Sequence, residues 1–206
     1  MVKEELNKQE ELEETVGLDE IIEQQVKSGF APEDNRIFIE TPDARNVLMR
    51  GITHFCGKDA QWLPEYESMA LWLSNNNGRG LLCYGNCGRG KTLITQRILP
   101  IIFRYWHGLA LNTVTATELS ERFNEISSYK IISVDDIGTE DIANRYGEKH
   151  DYFRELVDIA ERKQKLLIVS TNMELKQIAE RYGERTIDRL RALTTTILFK
   201  GTSLRK

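Results

Sequence analysis

Cysteine is scarce in this sequence. Three occur in 206 residues, Cys56, Cys83 and Cys87, and none forms a C-x-x-C pair. An odd number without paired spacing argues against a disulfide framework and a structural zinc site, and it fits a reducing compartment. Histidine is as sparse: His54, His107 and His150 are scattered, match no metal-ligand spacing and read as structural. No run of about 18 apolar residues occurs, so no membrane span is expected. The first residues are acidic and lack the basic-then-apolar order of a secretory leader, so a cytoplasmic location is expected. No Ser/His/Asp triad can be assembled, and neither an internal repeat nor a low-complexity tract is present.

What is present suffices for one domain with a core and a short appendage: apolar residues make up 40% of the chain. The net charge of −4 gives no global argument for nucleic-acid binding, but the charge is uneven. Residues 1–40 hold twelve Asp/Glu against four Lys/Arg, a balance of −8. Residues 181–206 hold seven Lys/Arg against two Asp/Glu, a balance of +5. Such polarity suits two ends that meet different partners, or else a solvated acidic helix and a basic chain end.

The spacing predicts a helical arm over 3–27, with Leu18, Ile21, Ile22 and Val26 on one face and Gly17 breaking it in two. Polar residues with a Gly and a Pro over 28–34 suggest a linker. We therefore expect an acidic arm over 1–35 and a folded domain over 36–206. The domain opens with an amphipathic helix carrying Ala44, Val47, Leu48, Ile52 and Phe55. A second follows Pro64 through Tyr66, Met69, Ala70 and Leu73. Strands and helices then alternate. Strands are expected at 80–84, 109–114, 130–134, 166–170 and 195–199. Helices are expected from Lys91 to a stop or kink near Pro100, from Thr115 with Glu118 in a capping box, through Phe153, Leu156, Val157 and Ala160, and over 174–182 and 186–193. This order implies a five-stranded parallel sheet covered on both faces.

The segment Gly85-Asn86-Cys87-Gly88-Arg89-Gly90-Lys91-Thr92 matches G-x-x-x-x-G-K-[ST] in full. Its glycines let successive backbone N–H groups turn toward phosphate oxygens, and the helix that starts at Lys91 adds its positive end. The Lys91 ammonium is expected between the β- and γ-phosphates of ATP, and the Thr92 hydroxyl on Mg²⁺. Lys91 lies 44 residues before Asp135, in the run Ile131-Ile132-Ser133-Val134-Asp135-Asp136. An apolar strand ending in acids completes the pattern, on the expectation that in a parallel sheet the strand places its first carboxylate beside the phosphate loop, at the carboxyl end where ligands bind. Asp135 is expected in the Mg²⁺ shell and Asp136 as general base, with Glu140 as a rival base. The fourth strand ends in Ser170-Thr171-Asn172, whose amide is expected to reach the γ-phosphate or the attacking water. Trp62, Trp72 and Trp106 read as core or interface residues rather than base-stacking platforms.

Arg185 and Arg189, four residues apart, share a helix face; the plain reading is a solvated basic face paired with Glu184 and Asp188. With this stretch the ordered set resembles the DnaC/IstB branch of AAA+ ATPases, the helicase loaders and transposition helpers. The matching segments are the phosphate loop, Asp135-Asp136-Ile137-Gly138, Ser170-Thr171-Asn172, Arg181-Tyr182-Gly183-Glu184-Arg185 through Arg189-Leu190, and the closing Phe199-Lys200-Gly201-Thr202-Ser203-Leu204-Arg205, together spanning about residues 36–206.

The resemblance implies a three-layer α/β P-loop NTPase of AAA+ type that hydrolyses ATP to ADP and phosphate with Mg²⁺. Asn172 takes the sensor 1 role. Arg189, with Arg185, resembles the arginine finger that reaches a neighbouring subunit, so a homo-oligomer with ATP is implied. Arg205 resembles the sensor 2 arginine. The implied setting is DNA replication, acting on a hexameric helicase and single-stranded DNA. An IstB-like transposition helper and a nucleotide-dependent binding module with little hydrolysis are the alternatives. The chain departs from such loaders in its short acidic arm, in the single helix expected before the Asp135 strand, and in having Asp136 where many AAA+ proteins have Glu.

Overall fold

The structure is a computed structural model that describes residues 17–29, 34–140, 143–145 and 148–205, with backbone alone for 143–145 and 148–150. The chain divides into two units, Met1–Asn35 and Arg36–Lys206. In the first, residues 17–27 form helix α1. The expected helix over 3–16 lies outside the described residues.

The second unit opens with α2 (Ala44–Cys56) and α3 (Pro64–Ser74). Ala44, Leu48 and Ile52 fall four residues apart on α2 and are buried, as one helix face requires. Pro64 occupies the first turn of α3, where its missing N–H leaves no bond unmade. Strand β1 (Gly80–Gly85) runs into the phosphate loop, and α4 (Lys91–Leu93) leaves it. The helix then widens into a π-helical stretch, Ile94–Ile98, before α5 (Leu99–His107). Pro100 cannot donate to the carbonyl four residues back. The widened stretch just ahead of it, where the Leu99 N–H reaches Ile94 O, is where the helix accommodates that loss.

The rest alternates as expected: β2 (Asn112–Thr115), α6 (Ala116–Ile126), β3 (Ile131–Asp135), α7 (Tyr152–Arg162), β6 (Leu166–Ser170), α8 (Leu175–Tyr182), α9 (Glu184–Leu193) and β7 (Thr194–Phe199), with a short antiparallel pair, β4 (Ala143–Arg145) and β5 (Glu148–His150), between β3 and α7. The capping box at Thr115 and Glu118 is formed. The main sheet has the order β2-β3-β6-β1-β7, and every neighbouring pair is parallel. Leu81, Cys83, Ile168 and Ile197 face the core under α2, α3 and α5; Leu82, Ile132, Val134 and Val169 face the core under α6 to α9. Two covered faces explain why the central strands read as unbroken apolar runs.

One strand start differs from the sequence reading by more than one residue. Strand β2 starts three residues later than expected, because only from Asn112 onward does the chain pair with β3. In the sheet, β6 lies between β1 and β3. The acids at the end of β3 therefore face the phosphate loop across the end of a third strand, and whatever ends that strand occupies the space between.

Candidate functional site

The site is built at the carboxyl ends of β1, β6 and β3. Gly85, Gly88 and Gly90 adopt φ of 105°, 70° and 89°, the left-handed region that side chains disfavour. Three such residues within six curl the loop tightly enough to turn its N–H groups inward. At Gly90 a Cβ would also stand 2.5 Å from Tyr66 Oη. That closeness reflects a brace absent from the sequence reading. The Tyr66 hydroxyl donates to Arg89 O at 2.9 Å, and Arg89 Nε donates to Glu65 Oε1 at 2.8 Å, with both charged side chains almost wholly buried. Burial, with the Glu65 charge beside it, pushes the Tyr66 hydroxyl up to about 12, so it remains a donor. Arg89, expected among the nucleotide-binding residues, thus has its guanidinium committed to Glu65 and to Thr202 O at 3.3 Å.

The closing segment lies along the same loop. Asn86 N donates to Phe199 O at 2.8 Å, Asn86 Nδ2 to Gly201 O at 2.7 Å, and Leu204 N to Gly88 O at 2.9 Å. Cys87 is exposed.

Lys91 is buried at the start of α4, and its ammonium has three acceptors: Gly85 O at 2.7 Å, Asn86 O at 2.8 Å and Asn172 Oδ1 at 2.9 Å. Burial holds its pKa below the ordinary lysine value. Asn172, at the end of β6, also donates from Nδ2 to Asp136 Oδ1 at 2.8 Å. One amide therefore links the phosphate-loop lysine to the second acid of β3, which is the consequence of β6 lying between the two strands.

Thr92 Oγ1 donates to Asp135 Oδ1 at 3.2 Å, and the Ser170 hydroxyl donates to the same carboxylate oxygen. A hydroxyl and a buried carboxylate this close are hard oxygen donors of the kind Mg²⁺ takes alongside phosphate and water, so the residues fit that ion. Among the described residues no cluster of three His, Cys, Asp or Glu could hold a metal unaided.

Asp136 follows β3 with φ of 58°, a conformation uncommon outside glycine. It is held there by its N–H to Ser170 Oγ at 3.2 Å and by the Thr139 hydroxyl on its carbonyl at 2.8 Å. Burial, then the Asp135 charge, raises its carboxyl above the ordinary aspartate value, while Lys91 and Arg205 oppose the rise. Glu140 is engaged elsewhere: one oxygen accepts from Gly138 N at 2.8 Å, and the other accepts from the Tyr182 hydroxyl with Arg181 at 3.8 Å. The resemblance segment at Arg181-Tyr182 thus meets the loop after Asp136.

The arginines of α9 stand apart from this cluster. Arg189 pairs with Asp158 and, at 2.6 Å, with Glu161, both on α7. Those are not the partners, Glu184 and Asp188, suggested by sequence proximity. Arg185 is exposed and makes no ion pair among the described residues. Arg205 is exposed, and its charge is felt at Asp136.

No family model matches the chain, and neither does any curated protein. Solved structures do. A candidate primosome component from Streptococcus pyogenes serotype M3 aligns over 79% of this chain and 81% of its own, at 13% identity and a TM-score of 0.50. DnaI aligns over 80% and 86%, at 19% identity and a TM-score of 0.51. The fold is that of an AAA+ P-loop domain. In this AAA+ fold the strand order, with β6 between β1 and β3, is what brings Asn172 into the site. A DnaC helicase loader, over 78% and 93% at 19% identity, reaches a TM-score of 0.48. Among the described residues, no helix is long and apolar enough to cross a membrane.

Proposed function

We propose that the chain binds ATP with Mg²⁺ and hydrolyses it, and that it serves DNA replication as a DnaC-like protein acting on a replicative helicase and single-stranded DNA. The observation that carries the chemical part is the line Lys91–Asn172–Asp136, two contacts of 2.9 and 2.8 Å that join a phosphate-binding lysine to a candidate base. The replication part is supported by the sequence resemblance and by the likeness to a candidate primosome component and to DnaI.

In this reading the loop amides and Lys91 take the β- and γ-phosphates, and the Lys91 ammonium exchanges protein acceptors for phosphate oxygens. Mg²⁺, held through Thr92 and Asp135, supplies charge neutralisation at the terminal phosphates. Asn172 orients the attacking water. Asp136 accepts a proton from that water as its oxygen bonds to the γ-phosphorus, and the bond to the β-phosphate oxygen breaks to release ADP. Arg205 touches nucleotide in the same subunit, while Arg189, with Arg185, serves the neighbour's site in a homo-oligomer formed with ATP.

Asp136→Asn is expected to leave ATP affinity within a few-fold and to cut phosphate release by roughly 10²–10⁴-fold. Because the Asp136 carboxyl accepts a proton only when deprotonated, turnover of the native chain should fall as pH drops. An Asp136→Asn variant that releases phosphate at the native rate defeats this assignment. Slow turnover is itself favoured by one observation, the Asp136 oxygen already occupied by Asn172, and would suit a nucleotide-dependent binding module.

The nucleic-acid part has its own test. Labelled single strands titrated with ATP present should bind at low salt and weaken steeply as salt rises, since phosphate contacts release counterions. No binding at low salt removes DNA and leaves a protein partner alone.

A further inference from the structure

A groove of about 940 Å³ runs between α2 and α5 and shares no lining residue with the phosphate loop. Its floor exists because α2 carries Gly51, where a Cβ would stand 2.6 Å from Ile98 Cγ2. The helices touch there as closely as a glycine allows. Around this contact four large apolar side chains are exposed together: Phe55, Ile101, Tyr105 and Trp106, at 37%, 56%, 79% and 43%. Isolated exposed apolar residues are ordinary, but four of this size on one concave face mark a contact surface.

The charge of this face is one-sided. Neither Ala44–Cys56 nor the continuous helix from Lys91 to His107 contains an Asp or Glu. Exposed Arg50 lines the groove and exposed Arg97 lies over the ring of Phe55, which also lines it, in a chain whose net charge is −4. The complement to such a face is acidic with an apolar stripe. Its form follows from the lining. The deep wall is aliphatic, with Val47, Ile98 and Ile102. The rings meet edge to face, Tyr105 on Trp106 at 82° and His54 on Phe55 at 87°, and Arg97 lies over the Phe55 ring. That arrangement offers no run of parallel open ring faces on which successive bases could stack. It does offer an apolar trough about nine residues of helix long, which matches two or three anchors spaced i, i+3/i+4, i+7 on a docking helix.

We propose that the α2–α5 groove is a docking site for an acidic amphipathic helix of a partner protein, recognised by its apolar stripe and by its carboxylates against Arg50 and Arg97. This surface shares no lining residue with the phosphate loop, and its test does not involve ATP.

The probe is a labelled, blocked helical peptide of about four turns, with leucines at i, i+3, i+4 and i+7 and glutamates between, titrated into the full chain by fluorescence anisotropy. It should bind saturably and weaken with salt. Ile101→Asp and Arg97→Glu should each weaken it by about tenfold or more. Both side chains are exposed, so both variants should keep the native melting temperature. The same peptide with lysine in place of glutamate should bind far less. Equal binding of both peptides, or native affinity in the Ile101→Asp and Arg97→Glu variants, overturns the proposal. So does an oligothymidine strand that binds through Tyr105 and Arg97 where the acidic peptide does not, which would make the groove a nucleic-acid surface.

Discussion

Lys91→Ala is expected to abolish ATP binding at ordinary concentrations, raising Kd by on the order of 100-fold or more. A charge-assisted hydrogen bond contributes about 1.5–3 kcal/mol, and every 1.4 kcal/mol is tenfold in affinity. The lysine is expected to make more than one such bond, and without it the glycine-lined cradle faces the triphosphate with neutral N–H groups only. The substitution also removes the donor now shared by Gly85 O, Asn86 O and Asn172 Oδ1, so some loss of melting temperature should accompany it. Isothermal calorimetry on a variant shown to be folded separates the two effects. An unchanged affinity would remove the phosphate loop from the account. Protonation gives a second readout. Burial lowers the Lys91 pKa, so the free chain binds this proton less tightly than an unfolded chain does. The resulting penalty on folding is fully present below the folded pKa and disappears as pH rises through the unfolded value. Phosphate restores the preference for the charged form. In the alkaline range, ATP binding by the native chain should therefore take up protons, visible as a dependence of binding heat on the buffer's ionisation enthalpy. Lys91→Ala should lose that dependence.

The parts of the site legible in the sequence are those written by neighbours in the chain. The glycine spacing from Gly85 to Gly90 dictates a local backbone path, and the apolar run from Ile131 to Asp135 dictates a strand covered on both faces. The fold class followed from the alternation of such segments, because each must bury its apolar face against another layer. Strand order did not follow. Nothing in residues 166–170 says that they lie between β1 and β3 rather than outside them; that depends on which crossovers pack best, a property of the whole. As a result Asn172 was recognisable as a polar residue at a strand end, but its place between Lys91 and Asp136 was not. The Glu65–Arg89 pair was hidden for a similar reason. A glutamate in a first helical turn is ordinary helix chemistry, and only the packing of α3 against the loop turns it into a buried partner for Arg89. The β4–β5 pair is too short and polar to leave a periodic signal.

Arg189→Ala is expected to keep ATP binding while losing the hydrolysis that assembly stimulates. An arginine supplied in trans to phosphoryl transfer is worth about 10³–10⁵ in turnover, so a variant without it should release phosphate at one unstimulated rate at every protein concentration. The structure adds a condition on how Arg189 could serve that role. Its guanidinium is held in its own subunit by Asp158 and Glu161, one turn apart on α7, while Arg185 one turn earlier on α9 is exposed. A finger in this position must leave both carboxylates before it can reach a neighbour, and that requirement opposes assembly. Neutralising Glu161 should then help: Glu161→Gln leaves one ion pair instead of two and should lower the protein concentration at which turnover is stimulated. A purely structural Arg189 gives the opposite result. In that case Glu161→Gln loosens α9 from α7, lowers the melting temperature and leaves the concentration dependence unmoved or shifted upward. Turnover measured over a range of protein concentrations for the native chain, Arg189→Ala, Arg185→Ala and Glu161→Gln distinguishes the two. Native-like stimulation in Arg189→Ala would assign the trans contact to Arg185 or to neither.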